Sequence, residues 1–204
     1  MKTLAQCLLW LVCSNLFAGG TEKYRFESNN AVVQVHVGTS GAFGFLGHGH
    51  LMQAPIKRGT LVYPPSDPGQ TSVELAVDAK SLQVVDPELS VADKKKIQAT
   101  MESERVLGVK EYPAISFKST MVESDRNHQM VIHGNLTIRD KTRPVTLHAN
   151  LELTGPQVKA SGRCQFKQTE FGIRPVTAGL GTVKVQDQIT ITFEVVARQA
   201  QESE

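Results

Sequence analysis

The sequence predicts an all-β chain of about eight antiparallel strands, with one or two short helices. Three observations carry that reading. Apolar and polar residues alternate with period two through most of residues 31–197, which gives each extended segment one apolar face. Short clusters of turn-forming residues separate these segments, so neighbouring strands connect as a meander and not through βαβ crossovers. One interruption, near residues 91–102, carries helical spacing instead. Strands with one apolar face leave unpaired edges unless the sheet closes. Closure into an antiparallel β-barrel removes those edges, and eight strands leave room for filling side chains or one small ligand. A two-sheet sandwich would show the same alternation and stays open at this point.

The elements follow in order. Strands are expected at 23–27 and 31–38, either separate or continuous; Val33, Val35 and Val37 share a face opposite Gln34 and His36. After a strand at 58–63 the run from Pro64 to Gly69 turns the chain into a strand at 71–78, where Val73, Leu75 and Val77 oppose Glu74 and Asp78. Ser90 with Asp93 three residues on reads as a helix N-cap, and Ile97 and Met101 follow at i, i+4, giving a helix over 91–102 that could run on towards 107. Tyr112-Pro113 ends any helix, because a residue before proline is pushed to extended conformation. Strands at 114–122, 129–138, 143–154 and 158–168 come next, broken at 124–127, 139–141 and 155–156. A closing strand at 187–197 has Ile189, Ile191, Phe193 and Val195 on one face. With 23–27 counted separately that makes nine; joined to its neighbour it makes eight.

The first twenty residues stand apart from this pattern. Met1-Lys2, the apolar run Leu8-Leu9-Trp10-Leu11-Val12 and the small residues Ala18-Gly19-Gly20 have the anatomy of a secretory signal peptide cleaved before Thr21. The expected organisation is a signal peptide over 1–20 and a single domain over 21–204. A lipid anchor at Cys13 is the rival, disfavoured because Val12 stands where a small residue is needed. No apolar stretch approaches the ~20 residues a spanning helix requires. Removing residues 1–20 takes away Lys2, two of the three cysteines and the one Trp, and lowers the net charge from +2 to +1. Near-neutral charge carries no electrostatic footprint for nucleic acid, and the run Lys94-Lys95-Lys96 beside Asp93 reads as a solvated helix face. Cys164, then alone, cannot form an internal disulfide and falls on the apolar parity of its strand, as a small buried hydrophobe.

Asp93, Met101 and Leu107 followed by Tyr112-Pro113-Ala114-Ile115-Ser116-Phe117-Lys118-Ser119 resemble the helix-to-strand passage of the YceI-like family. Gly134-Asn135-Leu136-Thr137-Ile138-Arg139-Asp140-Lys141-Thr142-Arg143-Pro144-Val145-Thr146-Leu147 look like its central hairpin. Glu170-Phe171-Gly172-Ile173 and Val185-Gln186-Asp187-Gln188-Ile189-Thr190-Ile191 resemble its last elements, and the matches run in order from about residue 31 to 197. The resemblance implies a lipocalin-like antiparallel barrel, exported to the bacterial periplasm or beyond, that holds a polyisoprenoid or quinone-like lipid in an apolar interior. The sequence departs from the family at its opening, where Glu27-Ser28-Asn29-Asn30-Ala31 lacks the usual His-Ser. Gly47-His48-Gly49-His50 is similar to a branch with a Gly-His-x-His signature.

Catalytic signatures are missing from the sequence: it has no GxSxG, no HExxH and no phosphate loop. The expectation is therefore binding without catalysis. Val33, Val35, Val37, Leu75, Leu147, Leu151, Ile191 and Phe193 are the candidate wall of the apolar interior, joined by Phe43 and Phe45 near the barrel mouth. A polar head group is expected at that mouth, near residues 41–50. With Trp absent after cleavage and few other aromatics, small aliphatic walls suit a chain-like ligand, which gains ~0.8 kcal/mol per buried CH₂. The alternative is a metal-binding or redox-accessory protein. His48 and His50, two apart in an extended segment, point to one side, with His36, His148 and Asp78 as candidates for the third ligand such a site needs. The expected partners are a small hydrophobic ligand and, for self-association, a second copy as a homodimer.

Overall fold

A computed structural model describes residues 21–40, 49–125, 129–178 and 183–200. Its strands are β1 (Glu22–Ser40), β2 (His50–Pro55), β3 (Arg58–Tyr63), β4 (Ser72–Asp78), β5 (Gln83–Val84), β6 (Ala114–Ser124), β7 (Gln129–Ile138), β8 (Lys141–Thr154), β9 (Gln157–Lys167), β10 (Thr177–Ala178) and β11 (Val183–Gln199), with one α-helix, α1 (Val91–Glu102), between β5 and β6. Every pairing is antiparallel, and β11 returns to pair with β1, so the sheet closes on itself. The chain is a barrel and not a sandwich.

Eight positions make up the ring, because two pairs of short strands each act as one. β2 pairs with the second half of β1 and β3 with the first half, the two joined across Ile56-Lys57. There the Ile56 N–H donates to the Ala31 carbonyl at 3.2 Å and the Lys57 N–H to the Ala76 carbonyl at 2.9 Å, so both sides stay bonded through the break. β4 and β5 likewise continue across the 3₁₀ turn Ala79–Ser81, pairing with β3 and β2 respectively. From there β6, β7, β8 and β9 follow as a meander to β11.

The structure decides two points that the sequence left open and adds three strands. Segments 23–27 and 31–38 are one strand, with a register shift against β11 between Phe26 and Ala31. β2, β5 and β10 are strands that the alternation did not announce. The helix stops at Glu102, followed by the cap Ser103 and turns that lead to Gly108 in the left-handed region. The other strands come within a few residues of expectation, β11 being the longest extension.

Local chemistry explains the elements. Ser90 caps α1 as its sequence requires: Ser90 Oγ accepts from the Asp93 N–H at 3.1 Å and donates to Asp93 Oδ2 at 2.7 Å. The hairpin joining β7 to β8 is two residues long, with Arg139 at φ 58°, and that joining β8 to β9 has Gly155 at φ 56°; a left-handed first turn residue matches the twist of the flanking strands. Two inward glycines have a different reason. A Cβ on Gly162 would sit 2.1 Å from the His148 carbonyl and 2.6 Å from Phe193 Cζ; one on Gly134 would meet Phe117 Cζ at 2.4 Å. Both positions are kept clear so that a phenylalanine ring can lie close to the wall.

The interior divides along the barrel axis. At the end where β1 starts, Tyr24, Leu61, Tyr63, Met130, Val158 and Ala197 are all 3% exposed or less and pack into a solid base. A fully buried side chain of this kind contributes about 1.5–3 kcal/mol. The opposite end carries α1 and the 3₁₀ turn Gln168–Phe171, and there the interior is different.

Candidate functional site

Towards the α1 end, the inward side chains do not meet. Val33, Val35, Leu75 and Leu147 point inward by strand parity but are only half-buried, and so do Ile191 and Phe193. Their open surface faces a cavity of about 740 Å³. Val37 and Leu151, more deeply buried, complete the same wall. That volume lies within the ~300–1,000 Å³ that encloses a drug-sized ligand. Ring closure sets these side chains opposite one another: Val33 pairs with Phe193, Val35 with Ile191 and Val37 with Ile189 across β1 and β11.

All eight candidate wall residues that fall within the described chain therefore line one cavity. Phe43, Phe45 and His48 lie outside the described residues. Small residues enlarge the space. Ala54, Ala149, Ala160 and Cys164 supply wall without filling it, and Gly134 and Gly162 let the two aromatic rings lie flat. Cys164 sits among aliphatic neighbours, and burial pushes its thiol up to about 11. At neutral pH it is a protonated thiol that forms part of the wall.

Helix α1 forms part of the open end. Ile97 and Met101 turn towards the cavity, with Asp93, Lys96 and Thr100 on the same stripe at its outer rim. Gln98, which nothing in the sequence singles out, holds the helix there. Gln98 Oε1 accepts from the Val84 N–H at 2.9 Å, and its Nε2 donates to the Leu82 carbonyl at 2.8 Å and to Glu102 Oε1 at 2.7 Å. One amide thus clips α1 to β5 as an extra strand partner would.

Among the side chains expected to bind metal, His50 lines the cavity, and His36, His148 and Asp78 do not. His36 lies on the outer face, where it bonds Thr192 Oγ1 at 3.0 Å, and His148 is exposed on β8. Asp78 lies at the end of β4, where Oδ1 accepts from the Lys80 N–H at 3.0 Å and Oδ2 faces Lys57 Nζ at 3.4 Å; these contacts hold its carboxyl below the usual range. Among the described residues no three His, Cys, Asp or Glu side chains converge as a metal site. The neighbour His50 does have is Asp86, with Nδ1 3.7 Å from Oδ2.

The architecture defines a class: a closed, up-and-down antiparallel barrel with a packed base and an apolar cavity open at its helical end. Within that class, the YceI-like domain profile matches residues 24–197, and the chain belongs to that family. Among curated relatives, a UPF0312 protein of Vibrio cholerae is 27% identical over 184 residues, covering 87% of this chain and 91% of its own. Protein YceI of Salmonella arizonae is 28% identical over 144 residues, covering 68% of this chain and 69% of its own. Two solved structures share the fold. Burkholderia cenocepacia BcnA has a TM-score of 0.65 at 18% identity, covering 84% of this chain and 98% of its own. The Campylobacter jejuni YCEI protein has a TM-score of 0.56 at 16% identity, covering 73% and 85%.

Proposed function

We propose that this protein is exported to the bacterial periplasm, where it holds a chain-like hydrophobic molecule of polyisoprenoid or quinone-like type for transport, storage or sequestration. The observation that carries the reading is the half-buried state of inward-facing aliphatic residues around a cavity of about 740 Å³. A chain that needed only a core would pack those side chains together, as its own base does. Each methylene that enters this space from water gains ~0.8 kcal/mol, so ten would supply about 8 kcal/mol before the cost of ordering the ligand. Holding and release need no reacting group, and the protonated Cys164 in the wall offers none. Export is supported by the signal-peptide anatomy of residues 1–20.

The test is native purification from the source organism, with mass spectrometry of the organic extract and N-terminal sequencing of the protein. The expected result is a stoichiometric chain-like lipid and a chain beginning near Thr21. A folded protein whose extract is empty would remove the carrier reading; an N-terminus at Met1 in protein from the periplasm would remove the processing expectation.

A further inference from the structure

The cavity wall is mostly aliphatic, and near its open end one polar pair is built into the sheet itself. β2 and β5 pair with Met52 opposite Val84, and the Val85 N–H continues the ladder to the Leu51 carbonyl at 2.9 Å. One step further along that register, His50 and Asp86 face each other on the inner side. Asp86 is 3% exposed, rare for a carboxylate. Its Oδ1 accepts from the Glu88 N–H at 3.1 Å. Its Oδ2 faces His50 Nδ1 at 3.7 Å, and both atoms are sealed from solvent with no hydrogen-bond partner among the described residues. The imidazole nevertheless keeps about a fifth of its surface open (side-chain exposure 20%), and the residue lines the cavity.

Burying an ionisable pair is costly, and orphaned polar atoms more so, unless the arrangement serves a purpose. The Asp86 carboxylate faces Nδ1 from 3.7 Å, beyond hydrogen-bond reach, so Nε2 is the ring nitrogen left for a further partner. We propose that His50, beside Asp86, hydrogen-bonds through Nε2 to the hydroxyl of an uncharged head group on the ligand. This deepens the carrier reading and rests on it.

A hydroxyl fits for two reasons. It donates to bare Nε2 when the imidazole is neutral and accepts from Nε2–H when it is charged, so it satisfies the ring in either state. A carbonyl could do only the second. And while Asp86 is ionised the pair never sums to a positive charge, so it does not attract an anionic head group to this depth. Cations that could do so, Lys96 and Arg105, are exposed at the outer rim.

The test uses delipidated protein loaded with a fluorescent apolar probe, displaced in turn by hexadecanol, hexadecane and hexadecanoate. Wild type, His50→Leu, His50→Gln and Asp86→Asn are compared, with circular dichroism as the folding control. In wild type, hexadecanol should be favoured over hexadecane by about tenfold more than in His50→Leu, the effect of one desolvated hydrogen bond. Glutamine, which can both donate and accept, should restore part of that preference, and Asp86→Asn should lower it without weakening hexadecane. If hexadecanol and hexadecane displace the probe with the same relative affinity in wild type and His50→Leu, the head-group role is wrong while the carrier reading stands. A hexadecanoate preference lost in His50→Leu would overturn the hydroxyl assignment. If neither chain displaces the probe, the carrier reading falls and this inference with it.

Discussion

The two ends of this barrel are built from the same strands and similar residues, yet they treat inward side chains differently. At the base, Tyr24 and Val158 are packed away from the cavity, and Leu61 and Met130, almost fully buried, close its floor. Towards α1, Val33, Leu75, Leu147 and Ile191 have the same parity and chemistry but face open space. The difference lies in what stands opposite. The base sets two tyrosines and a methionine among its aliphatics. The cavity sets alanine, Cys164 and glycine against medium-sized aliphatics, which cannot reach across. Close packing is concentrated in one half of a continuous sheet, and the other half is left open.

The sharpest way to break this comparison is one substitution made at both ends. In delipidated protein, Leu61→Ala should cost about 2–5 kcal/mol in urea denaturation, as for any tightly packed leucine. Leu147→Ala should cost well under half as much, because its side chain already borders empty space. Equal losses would mean that the upper half is packed core and the cavity does not persist in solution.

A smaller effect should follow from adding volume to the wall. Gly162→Ala brings a methyl group against the His148 carbonyl and the Phe193 ring, and should cost about 1–3 kcal/mol through displaced backbone and ring. Thermal melts of the variant measure it. An unchanged melt would show that the Phe193 ring is not held against Gly162.

Smaller still in stability, but more telling about exchange, is Gln98→Ala. Losing the clip between α1 and β5 should cost about 1 kcal/mol and speed probe release several-fold, read by stopped-flow dilution. A slower or unchanged release rate would mean that α1 does not limit traffic through the open end. On the outside of the barrel, Lys159 and Glu194 meet at 2.9 Å across β9 and β11 with both side chains largely exposed. Lys159→Ala should therefore change stability by less than about 1 kcal/mol and leave probe binding untouched.

Much of this was legible in the sequence, for physical reasons that also explain the gaps. Period-two alternation found the long strands because one face of each packs inward, and the Ser90–Asp93 pair found the start of α1 because capping is local chemistry. β2 was not announced because its pattern is inverted: His50 faces inward, while Leu51 and Pro55 sit at outward positions. Nothing near Asp86 signals burial, since its partner stands thirty-six residues away and only the β2–β5 register brings them together. Gln98 reads as an ordinary polar helix residue until Val84 and Leu82 supply the backbone groups that it bonds. The wall residues could be named from parity, but not that they would fail to touch, because that depends on the small residues opposite them across the closed ring.

The central claim is that the half-buried wall is a ligand site and not a loosely drawn core. Its most direct test is fluorescence titration of delipidated protein with an apolar probe, comparing wild type with Leu147→Trp. The indole should fill part of the cavity at little cost to the fold, since it enters space and not packed side chains. Saturable binding of one probe per chain is expected in wild type, with its loss in a Leu147→Trp variant that melts within a few degrees of wild type. Undiminished binding in that folded variant, or no saturable binding in wild type, would contradict it.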